Sequence, residues 1–178
     1  MAERQAHGFK YEHDVISRFG LRACRGYTAE NDGYYKLTPV QVKCIKKGSS
    51  IDLGDYYRNA SKKEDFILII GFWQGSKTNI VEEYAIYINH NKWNELLYYE
   101  FAEQMKQQME EITNDKSDDG VWKTFREVQK FAYEQDCDRK IKLRFKRDHK
   151  RQKRIQCAIN KTDFYNYFLK EFSRVDSF

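Results

Sequence analysis

Three side chains between residues 32 and 43 are of types that act together on phosphate esters: the carboxylate of Asp32, the amide of Gln41 and the ammonium of Lys43. Gln41 and Lys43 are two apart in a stretch that reads as a strand, so they project from one face, while Val40, Val42 and Cys44 turn to apolar packing on the other. A chain reversal around Leu37 and Thr38 would set Asp32 opposite Lys43. A fourth group comes from the first helix. Glu12 lies in the middle of the arc defined by Phe9, Val15, Ile16 and Phe19, and a carboxylate at the centre of a core-facing stripe needs a cation, a proton or hydrogen bonds. This set fits hydrolysis of a phosphodiester. Mg²⁺ takes one or two carboxylates, several waters and substrate oxygens, with Asp32 as main ligand and Glu12 binding directly or through water. Lys43 would orient or deprotonate the attacking water and offset charge on the phosphoryl oxygens. Glu30 is a further nearby carboxylate.

The elements that must position these groups follow from periodicity. Residues 4–19 read as a helix that Gly20 stops. Residues 27–45, rich in Tyr, Val and Thr, read as two strands of a hairpin, with the only proline at the break. Residues 46–48 turn, and residues 49–62 read as a short helix with Ser49 and Asp52 at capping-box spacing. Residues 66–72 and 80–88 read as paired strands around a loop at 74–76. Residues 91–113 read as a long helix, 114–120 as a linker, 121–135 as a helix, 141–147 and 153–159 as strands, and 161–172 as a terminal helix.

With these positions assigned, the sequence resembles the PD-(D/E)XK nuclease superfamily, to which many type II restriction endonucleases belong. Asp32 matches its metal-binding Asp, Gln41 the (D/E) position, Lys43 the catalytic Lys and Glu12 the helix carboxylate. The segment GFKYEHDVISRF is similar to the first helix of some short-site restriction enzymes, and QVKCIKKGSSIDLGDYYRN with KRQKRIQCAIN to a restriction-endonuclease-like group. The resemblance covers residues 8–88 and extends to 151–160. It implies an α/β fold with a central mixed β-sheet flanked by helices, Mg²⁺ held by Asp32, Gln41, Val42 and Glu12, and 5′-phosphate products. Two departures stand out: Asn31 replaces the motif's Pro, and Gln41 brings no charge where an acid is usual.

Charge distribution points to the partner. Ten of the sixteen residues 139–154 are Lys or Arg, and only Asp148 is acidic. That window carries +9 against +5 for the whole chain, so the remainder carries −4. Ile141, Leu143 and Phe145 alternate with the cations, as in a ribbon with one apolar face. A duplex-binding hairpin follows, in which Arg144, Arg147, Arg151 and Arg154 read guanine edges and Gln152 or Gln156 adenine, while Lys140, Lys142, Lys146, Lys150 and Lys153 meet phosphates.

Other classes are disfavoured. The longest apolar run, residues 66–73, has strand length, which argues against a membrane span. No secretory signal follows Met1, so a cytoplasmic location is expected. Cys24, Cys44, Cys137 and Cys157 are too dispersed for a zinc site or disulfide framework, and no phosphate-binding glycine loop is present. The organisation expected is one nuclease domain over 1–178: catalytic core 1–90, helical region 91–138, basic DNA-binding hairpin 139–160, terminal helix 161–178. Double-stranded DNA is the expected partner, and two strands to cut favour a homodimer.

Plainer readings exist beside each of these. Asp32 in Asn-Asp-Gly suits a turn, Lys43 an exposed strand position, and Glu12 a helix pair with Lys10 or Arg18. Asp52 and Asp55 read as helix caps rather than metal ligands, and Phe164, Tyr165, Tyr167 and Phe168 as packing. The functional alternatives are a structure-specific repair or junction-resolving nuclease, a non-catalytic nucleic-acid-binding module, and an RNA-binding protein.

Overall fold

The structure, a computed structural model, describes residues 3–24, 31–76, 78–97, 107, 141–147, 153–168 and 172–174. It is a mixed α/β structure whose central mixed sheet is flanked by helices. The chain forms two compact units: Met1–Ser50, Glu64–His90 and Phe164–Phe178 make the first, and Ile51–Lys63 with Asn91–Asp163 the second.

The first unit holds helix α1 (Glu3–Arg18) and strands β1 (Arg22–Ala23), β2 (Gly33–Tyr35), β3 (Thr38–Lys46), β5 (Phe66–Trp73), β6 (Ile80–Ile88) and β9 (Phe172–Arg174), while β4 (Ile51–Asp55) belongs to the second unit. The sheet runs β1-β2-β3-β5-β6-β9. Only β3 and β5 pair in parallel; the other neighbours are antiparallel. Strand β5 takes the middle because residues 66–72 are buried without interruption, which suits a strand covered on both faces. The strands expected at 66–72 and 80–88 are present and paired with each other.

Helix α1 ends where Gly20 adopts φ +58°, a conformation that glycine takes without steric cost. Its core stripe is centred on Tyr11 and Val15, four residues apart, which pack with Val40, Val42, Ile67 and Ile69. The Tyr11 ring lies so close to the sheet that a Cβ at Gly71 would overlap it. The Tyr11 hydroxyl donates to Glu83 Oε1 at 2.5 Å, and Arg18 grips both oxygens of Glu83, at 2.6 and 3.0 Å, and Asp14 at 2.8 Å. Burial and the Glu83 bond push the Tyr11 phenol far above its ordinary value, and Arg18 and Tyr11 hold Glu83 below its own despite burial.

The second unit contains β4 (Ile51–Asp55), α2 (Tyr56–Ala60), α3 (His90–Leu97, from Asn91 onward), β7 (Ile141–Arg147) and β8 (Lys153–Ile159). Its antiparallel sheet runs β4-β8-β7. Helices α2 and α3 are tied by Trp93 Nε1 donating to the Asn59 carbonyl at 3.0 Å and Tyr56 Oη to that of Leu97 at 2.6 Å. Helix α4 (Lys161–Tyr167) follows β8, with Asn160 Oδ1 accepting from the Thr162 backbone at 2.8 Å.

Several expectations are corrected. The helix expected over 49–62 is strand β4 followed by the five-residue α2. Ile51 and Leu53 are buried while Asp52 is exposed, the alternation of a half-covered strand, and β8 supplies the partner. Asp52 accepts from the Gly54 backbone, and the cap of α2 is Asp55, whose side chain accepts from Arg58 N. The terminal helix stops at Tyr167, and Phe172–Arg174 pairs with β6 as an edge strand. Of its aromatics, Phe164 and Phe168 are buried as expected, and Tyr165 is exposed but sets its ring edge-on to Tyr84. The long helix from residue 91 is described as far as Leu97 and again at the helical residue 107; the rest of it, the linker at 114–120 and the helix at 121–135 lie outside the described residues. No helix among the described residues is long and apolar enough to cross a membrane.

At the start of β5, Asp65 accepts from the His90 backbone at 2.9 Å, His90 Nδ1 at 2.7 Å and the Tyr87 hydroxyl at 2.8 Å. The His90 backbone bond leads these effects, and the Asp65 carboxyl falls to about 2. A carboxyl depressed on folding stabilises fully above its ordinary value and loses that contribution as pH falls through its folded value. The expected loss lies between about pH 4 and about pH 2. Asp65→Asn is expected to cost about 1 kcal/mol at neutral pH, after screening of a side chain 30 % exposed, and nothing at about pH 2. Urea denaturation at both pH values checks this.

Candidate active site

Strands β2 and β3 are joined by the two-residue turn Lys36-Leu37, with Tyr35 opposite Thr38 and Gly33 opposite Val40. The expected reversal at Leu37 and Thr38 is therefore one residue early in the structure. Asp32 comes level with Gln41 and Val42, not Lys43. The pairing of β2 with β3 ends at Gly33, and Asp32 sits where the ladder gives out. Its backbone N donates to the Val40 carbonyl at 3.0 Å, and its own carbonyl accepts from Cys24 N at 3.1 Å. Its side chain then substitutes for the missing strand: Oδ2 accepts from Val42 N at 2.6 Å. Such a charge-assisted bond fixes the carboxylate's direction. Among the described residues, the other oxygen makes no hydrogen bond.

On β3, Val40 and Val42 are buried in the cluster that receives α1, and Cys44 packs against it, as the alternation implied. Gln41 and Lys43 take the opposite face; Gln41 is buried at 8 % exposure and Lys43 is half-buried. Helix α1 thus covers the Val42 side of the sheet rather than the Lys43 side. Glu12 stands half-buried at the margin of the α1 stripe, not at its centre. Val42 itself enters the site through its backbone, since its side chain is core.

Glu12 nevertheless feels both Asp32 and Lys43. Burial first, and Asp32's negative charge second, raise its carboxyl above the ordinary value; His13 and Lys43 pull it back. The plainer alternative, a helix pair of Glu12 with Lys10 or Arg18, is not formed among the described residues, and Arg18 is engaged by Asp14 and Glu83. Among the described residues Lys43 makes no ion pair, so its ammonium is available to an anion.

A carboxyl held up by the charge of a second acid, on a sheet that also carries an amide and an amine, suits a divalent cation, whose charge would relieve the repulsion that Glu12 feels from Asp32. Among the described residues no three His, Cys, Asp or Glu side chains converge as a ligand group. Mg²⁺ manages with one or two carboxylates because it keeps several waters. Glu30 lies outside the described residues. One expectation concerns pH. With its pKa raised, Glu12 favours the metal-free fold below its ordinary value and disfavours it as pH rises through the raised one. Glu12→Gln is expected to remove that pH dependence, and to weaken Mg²⁺ binding more at about pH 8 than at about pH 5. Thermal melts with and without Mg²⁺ at both pH values check it.

The basic segment is split by what is described. Lys142, Arg144, Lys146 and Arg147 belong to β7, and Lys153, Arg154 and Gln156 to β8. Lys140, Lys150, Arg151 and Gln152 lie outside the described residues. The register sets Lys142 opposite Ala158, Arg144 opposite Gln156, Lys146 opposite Arg154 and Arg147 opposite Lys153. Lys142 is exposed, while Ile141, Leu143, Ile155 and Cys157 are buried, so the apolar residues line one face. On the other side of β8, Asp52 pairs with Ala158 and Asp55 with Gln156, giving this face an acidic margin.

Sequence reasoning missed the Tyr11–Glu83–Arg18 clamp, which fixes α1 and with it Glu12. The spacing of Tyr11 and Val15 was a usable signal for the helix side; Glu83, 72 residues from Tyr11, offered none. Comparison with protein-family models, with characterised proteins and with solved structures gives no match.

Proposed function

We propose that this protein is a Mg²⁺-dependent endonuclease of the PD-(D/E)XK type that hydrolyses double-stranded DNA, acting as a sequence-specific type II restriction enzyme. The observation that carries the reading is Asp32: its carboxylate is aimed by the Val42 backbone at the end of the β2–β3 ladder, within electrostatic reach of Glu12, which also feels Lys43.

In this reading Asp32, Glu12 and Gln41 hold the cation, with the Val42 backbone keeping Asp32 in place. Bound there, Mg²⁺ would supply Lewis acidity at the scissile phosphate. Lys43 places its ammonium beside the phosphoryl oxygens, offsets the charge they gain and orients the attacking water. Gln41 contributes an amide oxygen without charge, so the two carboxylates alone balance the cation. In this reading Lys142 and the other lysines of the basic segment would meet the phosphate backbone, and Arg144 and Gln156, which are register partners, would read base edges. A two-fold dimer would place one such site on each strand.

The test is incubation of the purified protein with unmethylated genomic DNA, in Mg²⁺ or EDTA, followed by sequencing of the ends. Discrete 5′-phosphate ends at one short sequence, lost in EDTA and in Asp32→Asn, are expected. Ends only at branches or lesions would assign the site to a repair or junction-resolving enzyme. Intact DNA across several divalent metals, with duplex binding retained, would leave a binding module.

A further inference from the structure

The turn between β2 and β3 is built against local preference. Two-residue hairpin turns favour Gly or Asn where φ is positive. Here that position is Lys36, with φ +55°, the one non-glycine residue of positive φ among those described. It is followed by Leu37, 88 % exposed. An isolated exposed leucine is ordinary on a protein surface. One at the apex of a tight turn, beside a residue in a strained conformation, combines two costs that Asn-Gly would remove. Strain of this kind points from geometry towards function.

The surroundings indicate what the tip meets. From Gly33 to Ile51 the chain carries four lysines and no acid. Lys36 Nζ lies 5.5 Å from the centre of the Tyr35 ring, and the guanidinium of Arg22, a β1 residue paired with Tyr34, lies 4.9 Å from the centre of the Tyr34 ring. Cation–π contacts tether Lys36 at the turn and Arg22 beside it on the neighbouring strand, with little loss of hydration. Two tethered cations flanking a projecting apolar side chain have the chemistry of a wedge that enters a duplex between base steps while its neighbours grip phosphate.

We propose that the Lys36-Leu37 turn is a DNA-contacting wedge of the first unit, with Leu37 inserted at a base step and Lys36 and Arg22 on flanking phosphates. The proposal rests on the duplex-DNA reading above. Leu37 is five or six residues along the strands from Asp32 and Lys43, or roughly 20 Å. The wedge therefore acts on the order of five or six base pairs from the scissile phosphate.

The experiment measures binding of the whole protein to a mixed-sequence duplex across a salt series in EDTA, so that cleavage plays no part. Leu37→Ser is expected to lower affinity about tenfold with the salt slope unchanged, because an apolar contact is lost. Lys36→Asn is expected to raise thermal stability, by relieving the positive φ, and to reduce the slope of log affinity against log salt by about 0.9. Wild-type affinity and slope in both variants would overturn the wedge while leaving the nuclease reading standing. No duplex binding by the unmodified protein would overturn both.

Discussion

Lys43→Ala is expected to abolish DNA hydrolysis, by about a thousandfold or more, while duplex affinity and thermal stability stay close to those of the unmodified protein. The size follows from the proposed role: an ammonium facing charge that develops on phosphoryl oxygens acts mainly in the transition state, so its removal lowers turnover rather than binding. The stability side follows from the geometry. Lys43 is half-buried on β3 and makes no ion pair among the described residues, so truncation strands no partner charge. Lys43→Arg is not a conservative control, because a planar fork does not reproduce a compact point charge. Single-turnover cleavage in Mg²⁺, beside binding in Ca²⁺, separates the two effects. Cleavage at the ordinary rate by the Ala variant would remove Lys43 from the mechanism.

The second large effect concerns stability. Gly71→Ala is expected to cost about 3 kcal/mol, since the new methyl group would overlap the Tyr11 ring against the middle of β5. The ring has little freedom to retreat: its hydroxyl is bound to Glu83, which Arg18 holds in a bidentate grip. The same substitution in a Tyr11→Ala background is expected to cost much less than in the unmodified protein, although Tyr11→Ala is itself destabilising. A double-mutant cycle by urea denaturation measures the coupling. Additive losses would show that the two residues do not compete for space. Because Glu12 follows Tyr11 on α1, Gly71→Ala should also reduce cleavage under conditions where the variant is still folded.

What could be read from the residues divides along physical lines. Strands β5 and β6 were legible because an uninterrupted apolar run and turn residues at 74–76 are local signals, and their pairing needs only a short loop. The alternation of Val40, Val42 and Cys44 likewise gave the packed face of β3. Strand β4 was misread because Ser49 and Asp52 mimic a capping box, while its partner β8 is more than a hundred residues away. The terminal strand β9 has three residues and owes its conformation to the edge of β6. At the site, the face shared by Gln41 and Lys43 was readable, but the level of Asp32 was not: one residue's difference in the turn changes every partner across a hairpin. The Val42 bond to Asp32 had no signature at all, since any residue except proline can donate a backbone N–H.

The sheet order carries a consequence for how the chain is made. Strand β6 is flanked by β5 and β9, and β9 is synthesised about 80 residues after β6. At ordinary elongation rates that interval is on the order of ten seconds. Throughout it the nascent sheet ends at β6, with backbone groups awaiting a strand not yet translated. Open edges of this kind recruit strands from neighbouring chains. Synthesis on crowded polysomes is therefore a stage at which the β6 edge can pair with a neighbouring chain.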